Sequence, residues 1–223
     1  MSFFDSFEAA IFDLDGTLLD SMPLWENFCG NWLISLGKIP GAGLETDIVS
    51  MTASQSAEYI KRHYNLDFSP EELIAQWGDA MLPHYLKRAP LKQGVAELIG
   101  ALASRGMKLG VATYSFPRCT EAILLHHKIF SCFSLIFYAH EAQDSGIASV
   151  KKTPEFWLSV AAKLNISPEK CIVFEDSLTS VTGIRAAGMG LAAVYDATCE
   201  NWPTLSNAAD LTLNYPGEAL AFL

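Results

Sequence analysis

The stretch that decides the fold runs from residue 10 to residue 21 and reads Ala10-Ile-Phe-Asp13-Leu-Asp15-Gly-Thr-Leu-Leu-Asp-Ser21. Residues 9–12 are apolar and compact, as expected of a strand that is buried on both faces. Two carboxylates follow at once, and an unpaired buried charge is very costly. Because open α/β sheets bind ligands at the carboxyl ends of their strands, Asp13 and Asp15 are predicted to face a metal or a ligand. An ordinary acidic turn is the alternative, since Asp-Gly is a common turn pair.

The same residues carry a family resemblance. The segment Asp13-Leu-Asp-Gly-Thr-Leu-Leu-Asp-Ser21 resembles the first motif of the haloacid dehalogenase superfamily, in its phosphatase and β-phosphoglucomutase-like branch. Asp15 favours that branch, because the dehalogenases proper usually lack an acid there and need no metal. The resemblance implies a core domain with a helical cap inserted after the first strand.

Length and composition limit the class of protein. A chain of 223 residues is enough for one domain with a small insertion, and its 50% hydrophobic content predicts a sizeable core. The formal net charge of −10 argues against a nucleic-acid backbone or an anionic membrane as partner. No apolar run approaches the roughly 18 residues of a membrane span, and residues 1–9 lack the basic cluster of a secretion signal.

Cysteine and histidine usage gives no sign of a zinc site. The five cysteines are scattered and form no Cys-x-x-Cys pair, which favours a reducing cytoplasm over a disulfide framework. The histidines show no metal-ligand spacing and are expected at the surface or in packing: His63, His84, His126, His127 and His140. We therefore expect a cytoplasmic protein, with a monomer favoured and the oligomeric state open.

The segment after the first strand is predicted to be helical. One helix is expected between Pro23 and Gly37, because its apolar residues repeat at spacings of three and four, namely Trp25, Phe28, Trp32 and Leu36. A second helix is expected over 52–63, and a third from the capping box at Ser69 through Met81. Residues 20–84 are thus predicted to form the helical cap, and residues 1–19 and 85–223 the catalytic core.

Beyond Pro90 strands and helices alternate. Strands are predicted over 107–113, 134–139, 171–174, 191–195 and 211–213, with helices between them. This alternation predicts an α/β fold, namely a doubly wound, mostly parallel, Rossmann-like sheet with an inserted small α-helical cap domain.

Polar residues follow the predicted strands. Thr113-Tyr114-Ser115 ends one strand, Glu175-Asp176-Ser177 ends another, and Lys151-Lys152 precedes a helix that opens at Pro154. Each group alone has a structural alternative: a strand-end hydroxyl, a helix N-cap and a solvated basic pair, respectively. Because the strand ends of a parallel sheet share one edge, the groups together favour a single cleft.

The resemblance spans essentially the whole chain and extends to these groups. Thr113 takes the family's second-motif hydroxyl position, and Glu175-Asp176 matches the acidic fourth motif. Lys151 becomes the third-motif lysine when Lys-Lys-Thr-Pro-Glu is laid against the family's Lys-Pro-x-Pro-Asp, with Lys152 as the alternative.

Such a mixture of acids, hydroxyls and lysine suits phosphoryl transfer. Asp13 is predicted to attack phosphorus and form an aspartyl-phosphate, and Asp15 to act as general acid and then general base. Thr113 and Lys151 are predicted to be catalytic phosphate-binding residues, with Tyr114 beside them.

A dianionic phosphate approaches a carboxylate only with counter-charge, so Mg²⁺ is the predicted cofactor. Its predicted ligands are Asp13, Asp176, Glu175 and Asp15, the last through its backbone carbonyl.

The expected activity is that of a Mg²⁺-dependent phosphatase acting on a small phosphorylated metabolite of the sugar phosphate, phosphoglycolate or nucleotide type. A β-phosphoglucomutase-type mutase and a catalytically silent binding module are the alternatives. Related mutases commonly carry a histidine where Trp25 falls and an arginine near Met51-Thr52, and this chain has neither. Ser180 stands where the family usually has glycine.

Overall fold

The computed structural model describes residues 2–48, 51–139 and 151–223 of the chain. One sheet contains the strands β1 (Ala9–Phe12), β2 (Lys108–Thr113), β3 (Leu135–Tyr138), β4 (Cys171–Glu175), β5 (Gly190–Val194) and β6 (Leu211–Leu213). Their order is β3-β2-β1-β4-β5-β6, and every neighbouring pair is parallel. The predicted doubly wound α/β fold is therefore confirmed. His140, one of the histidines named above, lies outside the described residues.

Strand β1 lies between β2 and β4, and all four of its residues are fully buried. Because side chains alternate along a strand, Ala10 and Phe12 enter one core layer, whereas Ala9 and Ile11 enter the layer on the opposite face. This double burial explains the unbroken apolar run, and it places the acids that follow at the centre of the sheet edge.

The described helices lie on both faces of the sheet and in the segment between β1 and β2. They are α1 (Met22–Trp25), α2 (Phe28–Ser35), α3 (Leu44–Ile48), α4 (Ala53–Tyr64), α5 (Pro70–Arg88), α6 (Val95–Ser104), α7 (Pro117–His126), α8 (Pro154–Leu164), α9 (Leu178–Ala186) and α10 (Trp202–Ala208). In the described parts of the chain, no helix is both long enough and apolar enough to pass through a bilayer.

The prediction of one helix from Pro23 to Gly37 is wrong. Helix α1 ends at Trp25 and α2 begins at Phe28, because Asn27 between them adopts a left-handed φ of 54°. Leu36 lies beyond the end of α2 and is 39% exposed. The apolar spacing persists across the break because both short helices pack against the same cluster, which includes Trp25 and Phe28.

Helix α5 begins at the predicted capping box but continues past its predicted end. The Ser69 hydroxyl accepts the backbone N–H of Glu72, and the Glu72 side chain accepts the N–H of Ser69. The helix runs through Pro83 to Arg88. A proline inside a helix removes one hydrogen bond, and the complete burial of Tyr85, two residues later, offsets that loss.

Two segments that connect β1 and β2 to the intervening helices run side by side. The N–H of Asp20 donates to the carbonyl of Pro90 at 3.0 Å, and the N–H of Lys92 donates to the carbonyl of Leu18 at 2.9 Å. Lys92 also forms an ion pair with Asp196 at 2.8 Å, with side chains only 11% and 6% exposed. The chain therefore leaves the sheet after β1 and returns to it before β2 at neighbouring points. The division into a cap of residues 20–84 and a core of residues 1–19 and 85–223 stays a prediction.

Candidate active site

The acids predicted at the strand ends lie together. Asp13 follows β1, and its N–H donates to the carbonyl of Phe174 in β4 at 3.0 Å, which joins the ends of the two strands. One carboxylate oxygen each from Asp13, Glu175 and Asp176 lies within 4.8 Å of the others. Parallel pairing of β1 with β4 thus brings the first and fourth motifs into one cluster.

Lys151 is the cation of this cluster, whereas its neighbour Lys152 is exposed. Its side chain is 2% exposed, and Nζ lies 2.6 Å from Oδ1 of Asp13 and 3.0 Å from Oε1 of Glu175. Burial lowers the pKa of Lys151, but the two carboxylates outweigh burial and raise it above its ordinary value. Lys151 therefore carries its charge at neutral pH.

The backbone of Lys151 is held by two helices. The indole Nε1 of Trp157 in α8 donates to the carbonyl of Lys151 at 2.5 Å. Gly183 in α9 approaches the same carbonyl so closely that a Cβ there would lie 2.3 Å from its oxygen. These contacts fix the point from which the lysine side chain extends into the cluster.

Glu175 is hydrogen-bonded at both of its oxygens. Oε1 accepts Lys151 Nζ and the hydroxyl of Ser180 at 2.6 Å, and Oε2 accepts the N–H of Ser177 at 2.7 Å. Ser180 stands where the family usually has glycine, and its hydroxyl donates a hydrogen bond to this carboxylate. The arrangement suits Glu175 as an anchor for the lysine.

Asp176 is positioned by the turn that follows β1. The hydroxyl of Thr17 donates to its Oδ1 at 2.7 Å. Gly16, at φ +80°, passes so close that a Cβ would lie 2.3 Å from Oδ2 of Asp176. Glycine at position 16 is therefore favoured for two reasons: its positive φ, and the lack of space for a Cβ beside Asp176.

The electrostatics of the cluster call for additional positive charge. Burial raises the pKa of Asp13 to about 7, although Lys151 opposes the rise. Burial, together with the charges of Glu175 and Asp13, raises the pKa of Asp176 well above its ordinary value. Lys151 is paired with Asp13 and Glu175 but not with Asp176, and the oxygens of the three carboxyl groups are the hard ligands that Mg²⁺ prefers. The donor set therefore fits this ion.

Asp15 belongs to a second, adjoining network. Its Oδ1 accepts the hydroxyl of Ser21 at 2.5 Å and also the hydroxyl of Tyr85 from α5. The Tyr85 hydroxyl lies 3.0 Å from Oγ of Ser115 as well. Burial raises the pKa of Asp15, and the Ser21 and Tyr85 hydroxyls and the indole N–H of Trp25 lower it in part. The side chain of Asp15 is thus held between the sheet edge and the helical segment.

The predicted phosphate-binding residues lie on both sides of these networks. Thr113, at the end of β2, is 1% exposed, and its hydroxyl accepts the N–H of Ser115 at 2.9 Å. Tyr114 is 51% exposed; its hydroxyl accepts the N–H of Lys151 at 3.2 Å, and its ring centroid lies 5.6 Å from Lys151 Nζ. The roles assigned to these residues stay predictions.

Several site residues had not been singled out from the sequence. Thr17 and Ser21 lie inside the first motif, so their position in that motif was an available signal. Ser115 adjoins Thr113 and Tyr114, whereas Tyr85 contacts Asp15 across 70 positions of the chain, a separation that no local pattern reveals.

Comparisons with known proteins agree with this geometry. The family model described as haloacid dehalogenase-like hydrolase matches residues 7–188. The chain is 28% identical to hexitol phosphatase B of Escherichia coli K12 over 203 residues, which cover 87% of this chain and 86% of the relative. It is 27% identical to a phosphoglycolate phosphatase of Nitrosococcus oceani over 194 residues, covering 84% and 83% of the two chains.

The fold is also that of a solved relative. The crystal structure of CbbY from Rhodobacter sphaeroides in complex with phosphate superposes with a TM-score of 0.77 at 20% identity, covering 95% of this chain and 96% of the other. The named phosphatases support the predicted enzyme class, a phosphoric monoester hydrolase. The chain belongs to the haloacid dehalogenase-like hydrolases, in the branch of phosphatases and phosphomutases.

Proposed function

We propose that the chain is a Mg²⁺-dependent phosphatase that hydrolyses a small phosphorylated metabolite through an aspartyl-phosphate. The observation that carries the proposal is the contact of Asp13 with Lys151 at 2.6 Å, next to the oxygens of Glu175 and Asp176. A nucleophilic carboxylate, a buried cation and spare acidic oxygens are the parts that phosphoryl transfer requires. The phosphatases among the relatives support the same reaction class.

In the first step a carboxylate oxygen of Asp13 attacks phosphorus and the bond from phosphorus to the leaving oxygen breaks. Lys151 Nζ and the N–H of Leu14 both bind Oδ1 of Asp13, the latter at 2.7 Å, which orients the carboxylate for attack. Asp15 donates its proton to the leaving oxygen. Thr113 and Lys151 bind the transferring oxygens, with Tyr114 at the exposed side.

In the second step water attacks the aspartyl-phosphate. Asp15, now ionised, accepts a proton from this water. The bond between Asp13 and phosphorus breaks, inorganic phosphate leaves, and both aspartates return to their starting states.

Mg²⁺ would be held by Asp13, Asp176 and the backbone carbonyl of Asp15, with Glu175 nearby. Bound there, the ion supplies the counter-charge that lets a carboxylate approach a phosphate dianion. The raised pKa of Asp176 supports this assignment, since that carboxyl group needs a cation to ionise fully.

Three further statements belong to this proposal. The helical segment over 20–84 acts as a cap that admits and encloses the substrate. The partner is a small-molecule phosphate ester. The enzyme works in a reducing cytoplasm, a setting that suits its five free cysteines.

The test is Mg²⁺-dependent release of inorganic phosphate from p-nitrophenyl phosphate. The variant Asp13→Asn should abolish it, whereas Asp5→Asn, a matched change before β1 at a surface ion pair with Arg105, should not. Robust turnover by Asp13→Asn would remove the nucleophile from the proposal.

Two assays on the purified wild-type protein distinguish a phosphatase from a phosphomutase and from a silent binding module. Accumulation of glucose 6-phosphate from β-glucose 1-phosphate and a phosphoryl donor would identify a phosphomutase. A metal-dependent thermal shift without turnover across a broad panel of phosphate esters would identify a silent binding module.

A further inference from the structure

Glu175 is the most deeply buried of the three clustered acids, and both of its oxygens are occupied by protein donors. Its Oε1 atom accepts Lys151 Nζ at 3.0 Å and the Ser180 hydroxyl at 2.6 Å, and its Oε2 atom accepts the N–H of Ser177 at 2.7 Å. Two of these donors come from the N-cap and the first turn of α9. An ionised carboxyl group offers about four acceptor positions, so the protein itself fills most of those of Glu175.

The two aspartates of the cluster are held differently. Within the described parts of the chain, hydrogen bonds and ion pairs reach only the Oδ1 atom of Asp13 and only the Oδ1 atom of Asp176. In that part of the chain each aspartate therefore keeps one oxygen without a donor, whereas Glu175 keeps none. Because one oxygen of each acid lies within 4.8 Å of the others, this difference bears on which acids can turn to a shared cation.

Ser180 supplies the donor that makes Glu175 different. It lies in the first turn of α9, is 2% exposed, and stands where the family usually has glycine, which has no side chain to donate. Its hydroxyl shares the Oε1 atom of Glu175 with the ammonium group of Lys151. Hydrogen bonds to a charged group are among the stronger ones in a protein. Loss of the hydroxyl would therefore leave a buried carboxylate oxygen in need of another positive partner.

This inference rests on the proposed Mg²⁺-dependent activity. We propose that Ser180 is a positioning residue, which keeps Glu175 on Lys151 and away from the metal ion. With its oxygens occupied, Glu175 anchors the ammonium group that contacts Asp13 at 2.6 Å. Without the Ser180 hydroxyl, Glu175 would satisfy its Oε1 atom with the ion instead and would hold Lys151 less firmly.

Titration calorimetry of Mg²⁺ binding to the substrate-free protein tests the proposal. In Ser180→Ala the Kd for Mg²⁺ should fall by about fivefold or more, because a further carboxylate joins the ligands of the ion. The metal-free variant should unfold at a lower urea concentration than the wild type, since it has lost a buried hydrogen bond. A purely structural role would weaken the fold and the metal site together, so the opposite signs separate the two roles. Unchanged or weaker Mg²⁺ binding would overturn the proposal.

Turnover at saturating Mg²⁺ tests the link to Lys151. The kcat of Ser180→Ala for release of inorganic phosphate should fall about tenfold, although the ion binds more tightly, because Lys151 has lost part of its anchor. Ser180→Gly, which also lacks the hydroxyl, should agree with Ser180→Ala in both Kd and kcat. Ser104→Ala is the matched control at the exposed end of α6, where the hydroxyl donates to the carbonyl of Gly100, and it should change neither quantity. A normal kcat in Ser180→Ala would overturn the proposal.

A second substitution assigns the effect to Glu175. Glutamine at this position has no negative charge to offer the ion, so adding Ser180→Ala to Glu175→Gln should leave the Kd for Mg²⁺ unchanged. If Ser180→Ala tightens Mg²⁺ binding equally with and without Glu175→Gln, the freed ligand is not Glu175 and the proposal fails.

The proposed function and this inference fail on different results. A wild-type protein that binds Mg²⁺ and hydrolyses p-nitrophenyl phosphate, with a Kd that does not respond to Ser180→Ala, overturns the role of Ser180 alone. A wild-type protein that neither binds Mg²⁺ nor hydrolyses any phosphate ester overturns the proposed function and this inference with it.

Discussion

The hydroxyl of Tyr85 offers the sharpest test of how the helical segment serves the acid. Tyr85 is fully buried, and its hydroxyl is one of two that donate to Oδ1 of Asp15, the other coming from Ser21. The change Tyr85→Phe removes that donor and retains the ring. A hydrogen bond to a charged group is worth about 1.5–3 kcal/mol, and about 1.4 kcal/mol corresponds to a tenfold change in an equilibrium constant.

The sign follows from which form of Asp15 the hydroxyl binds. A donor favours the carboxylate and lowers the pKa of Asp15 against the effect of burial, so its removal raises that pKa. In the proposed mechanism Asp15 must be protonated to donate to the leaving oxygen. The alkaline limb of the kcat/KM profile should therefore move to higher pH by about one unit, and kcat at pH 7 should fall about tenfold because Asp15 is held less firmly.

The assay is the pH dependence of kcat/KM from pH 5 to 9 for an alkyl phosphate ester, whose leaving alkoxide needs a proton, with release of inorganic phosphate as the readout. Ser21→Ala should move the same limb in the same direction. Tyr59→Phe is the matched control, since the Tyr59 hydroxyl bonds to Asp47 on the surface of the helical segment. A lowered rate with an unmoved limb would refute the reasoning and leave Tyr85 a purely structural role.

Three further outcomes are expected. Gly16→Ala should lower phosphate release by about a hundredfold, because the new Cβ would lie 2.3 Å from Oδ2 of Asp176 and displace it. Mg²⁺ should raise the Tm of the wild type, because a ligand at a hundredfold excess over its Kd adds about 2.7 kcal/mol to the free energy of unfolding. EDTA should abolish turnover, and Asp176→Asn should lose most of the thermal shift. Lys92→Met should lower the free energy of unfolding in urea by about 2–3 kcal/mol at pH 7. Burial raises the pKa of Asp196, but the bonds from Lys92 and Thr198 outweigh it and lower that pKa, so the contribution is present at neutral pH and the difference should shrink as the pH falls below about 4.

The sheet and its acids were predictable because their signals are local. The run Ala9–Phe12 is apolar without alternation, which is what a strand buried on both faces requires, and Asp13 follows it directly. Asp176 follows β4 in the same way, and parallel pairing then brings the two strand ends together. The family resemblance supplied the choice of Lys151, which the structure places in contact with Asp13.

The helical segment was predicted less well, because its geometry depends on single backbone angles and on distant contacts. Apolar spacing from Trp25 to Leu36 cannot reveal that Asn27 adopts φ 54°, since Trp25 and Phe28 on either side of the break pack in the same cluster. Pro83 disfavours a continuing helix by its local chemistry, but α5 runs past it, and Tyr85, two residues later, is fully buried. The role of Tyr85 beside Asp15 depends on a contact 70 positions away, and no pattern in the sequence specifies it.

The side-by-side connection at Leu19 and Leu91 bears on how such an enzyme acquires new substrates. Since departure and re-entry points are neighbours, a segment of another length can be grafted there without stretching the sheet. The helical segment can then change without altering the residues at the sheet edge, with one exception. Any graft that replaces Tyr85 also removes a hydroxyl from Asp15, the proposed proton donor, so the incoming segment must bring a substitute donor.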